Sequence, residues 1–320
     1  MDTLWVRVAD RQEQAQGICS FDLVAAEEGS RLPAFTPGAH IDVHVPGGWV
    51  RQYSLCNDST EQGLYRIGVL KADAGRGGSQ AMHEQVQIGA VLRIGAPRNL
   101  FPLHEQEAHS LLLAGGIGIT PIFCMAQALL REGRSFDMHY CARSKERAAF
   151  TAALQAAPLG RHVHLHLDDE PASTRLDIEA LLNHQSDNTH LYFCGPKGFM
   201  DAVLQSARRL GWEEGRLHCE FFQAEPVLLD GDQSFDVRLA RSGKTVHVGS
   251  HQTVAHALQA AGVDVPTSCE QGICGTCVTK VLEGVPDHRD SFLMPEEQAA
   301  NDCFTPCCSR SRSPSLVLDL

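Results

Sequence analysis

At 320 residues the chain has room for two or three domains. With 43% hydrophobic and 21% charged residues it is not a disordered, collagen-like or coiled-coil protein. Lys and Arg number 27 against 39 Asp and Glu, a net charge of −12, which argues against a nucleic-acid partner because affinity for a phosphate backbone comes from clustered cations.

No apolar run approaches the roughly 18 residues of a membrane span, and Met1-Asp-Thr-Leu-Trp5 lacks the basic-then-apolar order of a signal peptide. The expectation is a cytoplasmic protein without membrane contact. Short alternating runs come first, at Ile41–Val45, Val50–Leu55 and Tyr65–Leu70, punctuated by Pro37-Gly38 and Pro46-Gly47-Gly48. They predict an antiparallel β-barrel over residues 1–103. The rhythm then changes to a buried run, Ser110–Ala114, a glycine turn and a helix from Pro121 to Arg131. Strands at Phe136–Cys141, Val163–Leu167 and His190–Cys194 alternate with helices at Arg147–Ala156 and Gly198–Leu210. Alternation of this kind predicts an α/β domain with a parallel sheet over 107–223. Residues 224–233 carry Pro, Gly and acids without periodicity and read as a linker. A third domain, 234–320, opens with a hairpin, Phe235–Ala240 and Thr245–Val248, followed by a helix near Thr253–Ala261 closed by Gly262.

Six of the 12 cysteines are scattered singly, whereas Cys269, Cys274, Cys277, Cys303, Cys307 and Cys308 crowd the end of the chain. Crowding without a secretory context points to metal rather than disulfides. Cys269-Glu-Gln-Gly-Ile-Cys274-Gly-Thr-Cys277 has the C-x4-C-x2-C spacing of a plant-type [2Fe–2S] cluster. Soft thiolates suit the irons, and Gly272 and Gly275 let the backbone curl around the cluster. A zinc ribbon would want two short C-x2-C knuckles and has one here. Cys307 is the predicted fourth ligand, since adjacent Cys308 points away if Cys307 points in; Cys303 competes.

These cysteines, with Glu283-Gly, Asp287-His-Arg-Asp290, Cys307-x-Ser-Arg310 and the ending Leu316-Val-Leu-Asp-Leu320, resemble the phthalate dioxygenase reductase and vanillate demethylase reductase family. The resemblance spans the whole chain and implies a flavin barrel, a nicotinamide α/β domain and an α+β (β-grasp) ferredoxin domain, in that order. In Arg51-Gln-Tyr53-Ser54 it implies that Arg51 meets the flavin phosphate, Tyr53 packs on the isoalloxazine and Ser54 approaches flavin N5. Strand alternation puts Arg51 and Tyr53 on one face and Ser54 on the other, so a twist or bulge is expected there. Gly75-Arg-Gly77-Gly78-Ser79 precedes a helix and suits a phosphate. Gly115-Gly116-Ile-Gly118-Ile-Thr120-Pro121 resembles the pyrophosphate turn of ferredoxin-reductase-type domains, with Thr120 as a helix cap and Pro121 in the first turn. Cys194-Gly195-Pro196 resembles the turn that borders the nicotinamide, so Cys194 joins Ser54 as a candidate catalytic residue. In Glu220-Phe-Phe222-Gln an aromatic should lie near the flavin, Phe222 before Phe221.

The resemblance thus implies an oxidoreductase with FMN, NADH and a [2Fe–2S] cluster, monomeric, passing electrons to a Rieske-type terminal oxygenase in aromatic catabolism. An FAD-dependent reductase serving another acceptor, or a non-catalytic metal-binding module, is the alternative. Arg143-Ser-Lys145 could hold a 2′-phosphate, which bears on NADH against NADPH. His162-Val-His164-Leu-His166 puts three imidazoles on one strand face, a weak metal signal because ligands two apart rarely close a tetrahedral site alone.

Overall fold

The computed structural model describes residues 3–72, 77–104, 108–171, 174–222, 229, 231–267, 272, 275–290 and 292–320. The N-terminal alternation folds into β1 (Thr3–Ala15), β2 (Ile18–Ala25), β3 (Ala39–Val45), β4 (Trp49–Ser54), β5 (Tyr65–Leu70), α1 (Gly78–Gln85), β6 (Val91–Gly95) and β7 (Arg98–Asn99). The strands pair in the order β4-β3-β6-β1-β2-β5, with β7 on β3, and a bridge between Leu55 and Ile67 brings the two ends together as a barrel. Every second residue points inward: Val6, Val8, Phe21, Leu23, Ile41, Val43, Ile67 and Ile94 are wholly buried. Each such aliphatic or aromatic side chain contributes about 1.5–3 kcal/mol by leaving water.

The next stretch builds a parallel sheet from β8 (His109–Gly115), α2 (Ile119–Glu132), β9 (Phe136–Ala142), α3 (Thr151–Gln155), β10 (Val163–Leu167), α4 (Ile178–Asn183), β11 (Thr189–Gly195), α5 (Lys197–Arg209) and β12 (Leu217–Phe221). Strand order is β10-β9-β8-β11-β12, so the winding direction reverses between β8 and β11. Helix α2 packs on one face with Leu112, Tyr140, Tyr192 and Cys194. Helix α5 packs on the other with Leu111, Leu113, Leu191 and Phe193. The helix expected over Arg147–Ala156 is shorter. Phe150 takes a left-handed φ of 61°, and the N–H of Ala149 donates to the Tyr140 hydroxyl at 3.0 Å, so helix forms only from Thr151.

Barrel and parallel sheet belong to one unit, Met1–Phe222; Gln223–Leu320 form a second. The second holds β13 (Phe235–Leu239), β14 (Thr245–Val248), α6 (Val254–Ala260), β15 (Thr279–Glu283), β16 (Pro286–Asp287), α7 (Pro295–Ala300), β17 (Cys303–Phe304), β18 (Arg310–Ser311) and β19 (Ser315–Leu318). The sheet order is β14-β13-β19-β15-β17, with β13 and β19 parallel and the other pairs antiparallel. Helix α6, capped by the Thr253 hydroxyl accepting from the His256 N–H, lays Val254, Ala255 and Leu258 onto this sheet as in a β-grasp. The expected linker 224–233 needs correction at its end. Asp232 accepts two hydrogen bonds from Arg289, at 2.6 and 2.9 Å, and buried Arg310 donates to the carbonyls of Gln233, Gly249 and Gln252. A guanidinium taken out of water needs such a complete set of acceptors, so residues 232–233 are part of the C-terminal fold. Most of the remaining linker lies outside the described residues.

Candidate functional site

Nucleotides bind doubly wound sheets beyond the carboxyl ends of the strands, where the order reverses. Here β8 runs into Gly115-Gly116 and β11 into Gly195-Pro196. Gly116 has φ 53° and open space where a Cβ would stand, whereas a Cβ on Gly118 would collide with the Cys194 carbonyl. Glycine at 118 is therefore what lets the two turns touch. Pro121 is the third residue of α2, where an N–H has no intrahelical acceptor to lose.

Thr120 is not the cap expected of it. It lies inside α2, is 1% exposed, and its hydroxyl donates to the Ile117 carbonyl at 3.1 Å. Its methyl instead meets the barrel: a Cβ on Gly68 of β5 would lie 2.7 Å from Thr120 Cγ2 and 3.4 Å from the Phe150 ring. Gly68→Ala is thus expected to push the turn off the barrel at a cost of about 1–3 kcal/mol. A lowered melting temperature and slower NADH-driven flavin reduction, with flavin retained, check this; unchanged values for both would show the seam to be loose.

On the barrel, β4 pairs with β3 in unbroken register from Trp49–Val45 to Ser54–His40, so the expected bulge is absent. Arg51 and Tyr53 lie on one face and Ser54 on the other. A Cβ on Gly78 would stand 2.8 Å from Arg51 Nε and 3.1 Å from the Trp49 indole. Gly77, at φ 92°, caps α1, whose first amides are free of side-chain caps. Guanidinium, unfilled glycine and helix N-terminus together make a cradle that suits a phosphate. Ser79 Oγ accepts from the Ala72 N–H at 3.1 Å and keeps its own proton to donate. The buried Tyr53 hydroxyl has no hydrogen-bond partner among the described residues, and burial pushes its pKa up, so it stays a neutral donor awaiting an acceptor. These features fit a flavin phosphate. Gly75 lies outside the described residues.

Ser54, 3% exposed, donates to Glu220 Oε2 at 2.8 Å. On the other side of this carboxyl, His40 Nδ1 stands 3.8 Å from Oε1, and the two side chains are 5% and 15% exposed. Burial pushes the Glu220 pKa up to about 7, with the Ser54 hydrogen bond opposing. The folded chain therefore ionises this group later than the unfolded one, and the site loses stability as pH rises from 4.5 towards 7. Cys194, wholly buried on β11, has its thiol pKa pushed well up, first by burial and then by the Glu220 charge. It acts as a neutral thiol, not a thiolate.

In the C-terminal unit Cys277 and Cys307 bring their sulfurs to 3.2 Å, and the Gly272 N–H donates to Cys307 Sγ at 3.3 Å. Cys308 Sγ meets the Thr305 hydroxyl at 3.3 Å, while Cys303 is on β17. A Cβ on Gly272 would collide with Cys308, and one on Gly275 with the Phe292 ring. Both glycines are left-handed, at φ 71° and 68°. A close pair of cysteine sulfurs with a backbone donor and glycines that clear space beside it suits an iron–sulfur cluster. Cys269 and Cys274 lie outside the described residues.

A family model for an oxidoreductase NAD-binding domain matches residues 112–205, and one for a 2Fe-2S iron-sulfur cluster binding domain matches 237–312. The chain is 53% identical over 306 residues to the vanillate O-demethylase oxidoreductase of Pseudomonas sp. (strain HR199 / DSM 7063), covering 96% of each. To that of Pseudomonas putida it is 54% identical over 314 residues, covering 98% of each. A solved phthalate dioxygenase reductase, described as a modular structure for electron transfer from pyridine nucleotides to [2Fe-2S], superposes with a TM-score of 0.79 at 37% identity, over 99% of this chain and 98% of that one. The chain belongs to the phthalate dioxygenase and vanillate demethylase reductase family. It is an oxidoreductase with an NAD-binding domain and a 2Fe-2S cluster binding domain. No helix among the described residues of this reductase is long and apolar enough to cross a membrane.

Of the predicted aromatics, Phe221 packs with α5 and Phe222 with the opposite face, the side that carries Glu220. The His162–His166 row does not act as one face: His162 precedes β10 and stacks on Phe136, while His164 and His166 stack on His139. Among the described residues no three His, Cys, Asp or Glu side chains are grouped to hold a metal ion. Sequence reasoning missed Glu220 and His40 as site residues. The available signals were an acid between Cys219 and Phe221 and a histidine two residues after the Pro37-Gly38 turn.

Proposed function

We propose that this chain delivers electrons from NADH to a Rieske-type oxygenase that demethylates a methoxylated aromatic acid of the vanillate kind, and that it works as a cytoplasmic monomer. The observation that carries the reading is convergence within one unit: the Gly116–Pro121 turn, the Cys194-Gly195-Pro196 turn and the Ser54 hydroxyl all meet around Glu220 and Gly118. Similarity over almost the whole length to vanillate O-demethylase oxidoreductases supports the choice of substrate class.

In this reading residues 1–103 take the flavin, 107–223 the nicotinamide and 234–320 the cluster. Arg51 and the Gly77–Ser79 turn hold the phosphate, Tyr53 lies along the ring and donates its unpaired O–H, and Phe222 covers the flavin from the Glu220 side. Gly116, Gly118, Thr120 and Pro121 shape the pyrophosphate turn, and Gly195 and Pro196 border the nicotinamide. Ser54 sets its hydroxyl, hydrogen-bonded to Glu220, beside the reacting atom, and Cys194 packs there as a neutral thiol. Cys269, Cys274, Cys277 and Cys307 are the cluster ligands. When bound, FMN accepts electrons in pairs and the cluster releases them singly, which matches NADH to a one-electron acceptor.

Mixing the purified chain with NADH, vanillate and a purified Rieske-type demethylase tests this reading. Formaldehyde and demethylated product in proportion to NADH are expected. Rapid NADH oxidation with ferricyanide but no product with any Rieske partner would assign the chain to another acceptor.

A further inference from the structure

Alternate residues of a strand share a face at a spacing of about 6.5–7 Å, so Tyr53, Arg51 and Trp49 form one row along β4. Unbroken pairing with β3 from Ser54 to Trp49 keeps that row straight. A flavin with its ring on Tyr53 and its phosphate at Arg51 runs down this row towards the start of the strand. Whatever is bonded beyond the phosphate arrives at Trp49.

That position is filled. A Cβ on Gly78 would stand 3.1 Å from the indole Cδ1, and one on Gly77 would stand 3.3 Å from Nε1 and 3.6 Å from Cζ2. The indole therefore lies over both glycines at the start of α1, half-buried against the barrel core and beside the Arg51 guanidinium. Trp49 is also one wall of a cleft of about 270 Å³ between the Pro46-Gly47 turn and α1, smaller than the roughly 300–1,000 Å³ of ligand pockets. Among the described residues that line it, the one charged side chain is Glu84, already paired with Lys71 at 2.9 Å. A second phosphate would meet an acid there, where a diphosphate calls for a further cation.

We propose that Trp49 selects the flavin: its indole closes the cradle beyond a terminal phosphate monoester, so that the chain takes FMN and rejects FAD. The second phosphate and adenosine of FAD would have to pass through the ring. Discrimination of this kind comes from a steric element set against the wrong ligand, not from a contact that the right one gains. The proposal rests on the reading of the barrel as the flavin site.

Calorimetric titration of the flavin-free full chain with FMN and with FAD tests this without any turnover. Crowding of an added group into a filled site predicts that the wild-type chain binds FMN about 10–100-fold tighter than FAD. In Trp49→Ala and Trp49→Leu the ratio is expected to fall to within about threefold, because FAD gains, whereas Trp49→Phe keeps a ring in place and retains a preference. A purely structural role for the indole would weaken both flavins alike and leave the ratio unmoved. Equal binding of FAD and FMN by the wild-type chain, or a wild-type ratio in folded Trp49→Ala and Trp49→Leu, would overturn the proposal. So would FAD binding that Trp49→Ala abolishes, since the indole would then carry the adenine. Failure of the flavin reading shows separately, as a wild-type chain that binds neither flavin or an Arg51→Ala variant that binds both unchanged.

Discussion

Cys307→Ser is expected to leave the reductase largely without its cluster, whereas Cys308→Ser keeps it. The two thiols are adjacent in sequence and both buried, so position alone does not separate them. Their contacts do. Cys307 Sγ lies 3.2 Å from Cys277 Sγ and accepts the Gly272 N–H, a donor from the C-x4-C loop itself. Cys308 Sγ is engaged by the Thr305 hydroxyl at 3.3 Å, a partner outside the C-x4-C loop. Partners outside the ligand set are worth about 10–100-fold in metal affinity, so removal of a ligand should cost at least that much. Iron content and the low-temperature paramagnetic signal of the reduced protein read the outcome directly. If Cys308→Ser bleaches the protein and Cys307→Ser spares it, the ligand assignment moves by one residue. Flavin content should be unchanged in both, because the phosphate cradle is built from Arg51, Trp49 and Gly78 of the other unit.

What could be read in advance was what is local. Alternation located the strands to within a residue or two at Ala39–Val45, Tyr65–Leu70 and Val163–Leu167, because each is half-buried on a period of two. Cysteine spacing carried the cluster, since three of the cysteines fall within nine consecutive residues. The errors arose where distant residues override local preference. Alanines at 148, 149, 152 and 153 favour a helix from Arg147, but Tyr140, nine residues before Ala149 on β9, captures the Ala149 N–H. The tail of the linker looked featureless because its partners, Arg289 and Arg310, come nearly sixty residues or more later. Glu220 and His40 escaped notice for the same reason. An acid and a histidine 180 positions apart carry no shared pattern; the junction of a barrel strand with the last strand of a parallel sheet makes them a site.

Deleting everything after residue 226 is expected to leave a folded flavoprotein that oxidises NADH with ferricyanide at close to the full rate, while oxygenase turnover falls to background. The break follows the molecule's own division, since the first unit ends at Phe222 and keeps its cores, the Gly68–Thr120 seam and the Ser54–Glu220 pair. Position matters. A deletion starting beyond Asp232 would strand that carboxylate without Arg289 and leave an unpaired charge on the remaining tail, whereas one at 226 removes both partners of the bidentate pair together. Ferricyanide accepts electrons singly from reduced flavin, so it reports the nicotinamide-to-flavin step by itself. Oxygenase turnover, and cytochrome c reduction with it, draws on the cluster, which in the intact chain is supplied at the high effective concentration of a tether. Adding the C-terminal unit back as a separate chain should therefore restore turnover weakly and in proportion to its concentration. A truncated protein that is folded and flavin-loaded yet inert toward NADH would mean that the C-terminal unit completes the hydride-transfer site, and the division of labour between the two units would have to be redrawn.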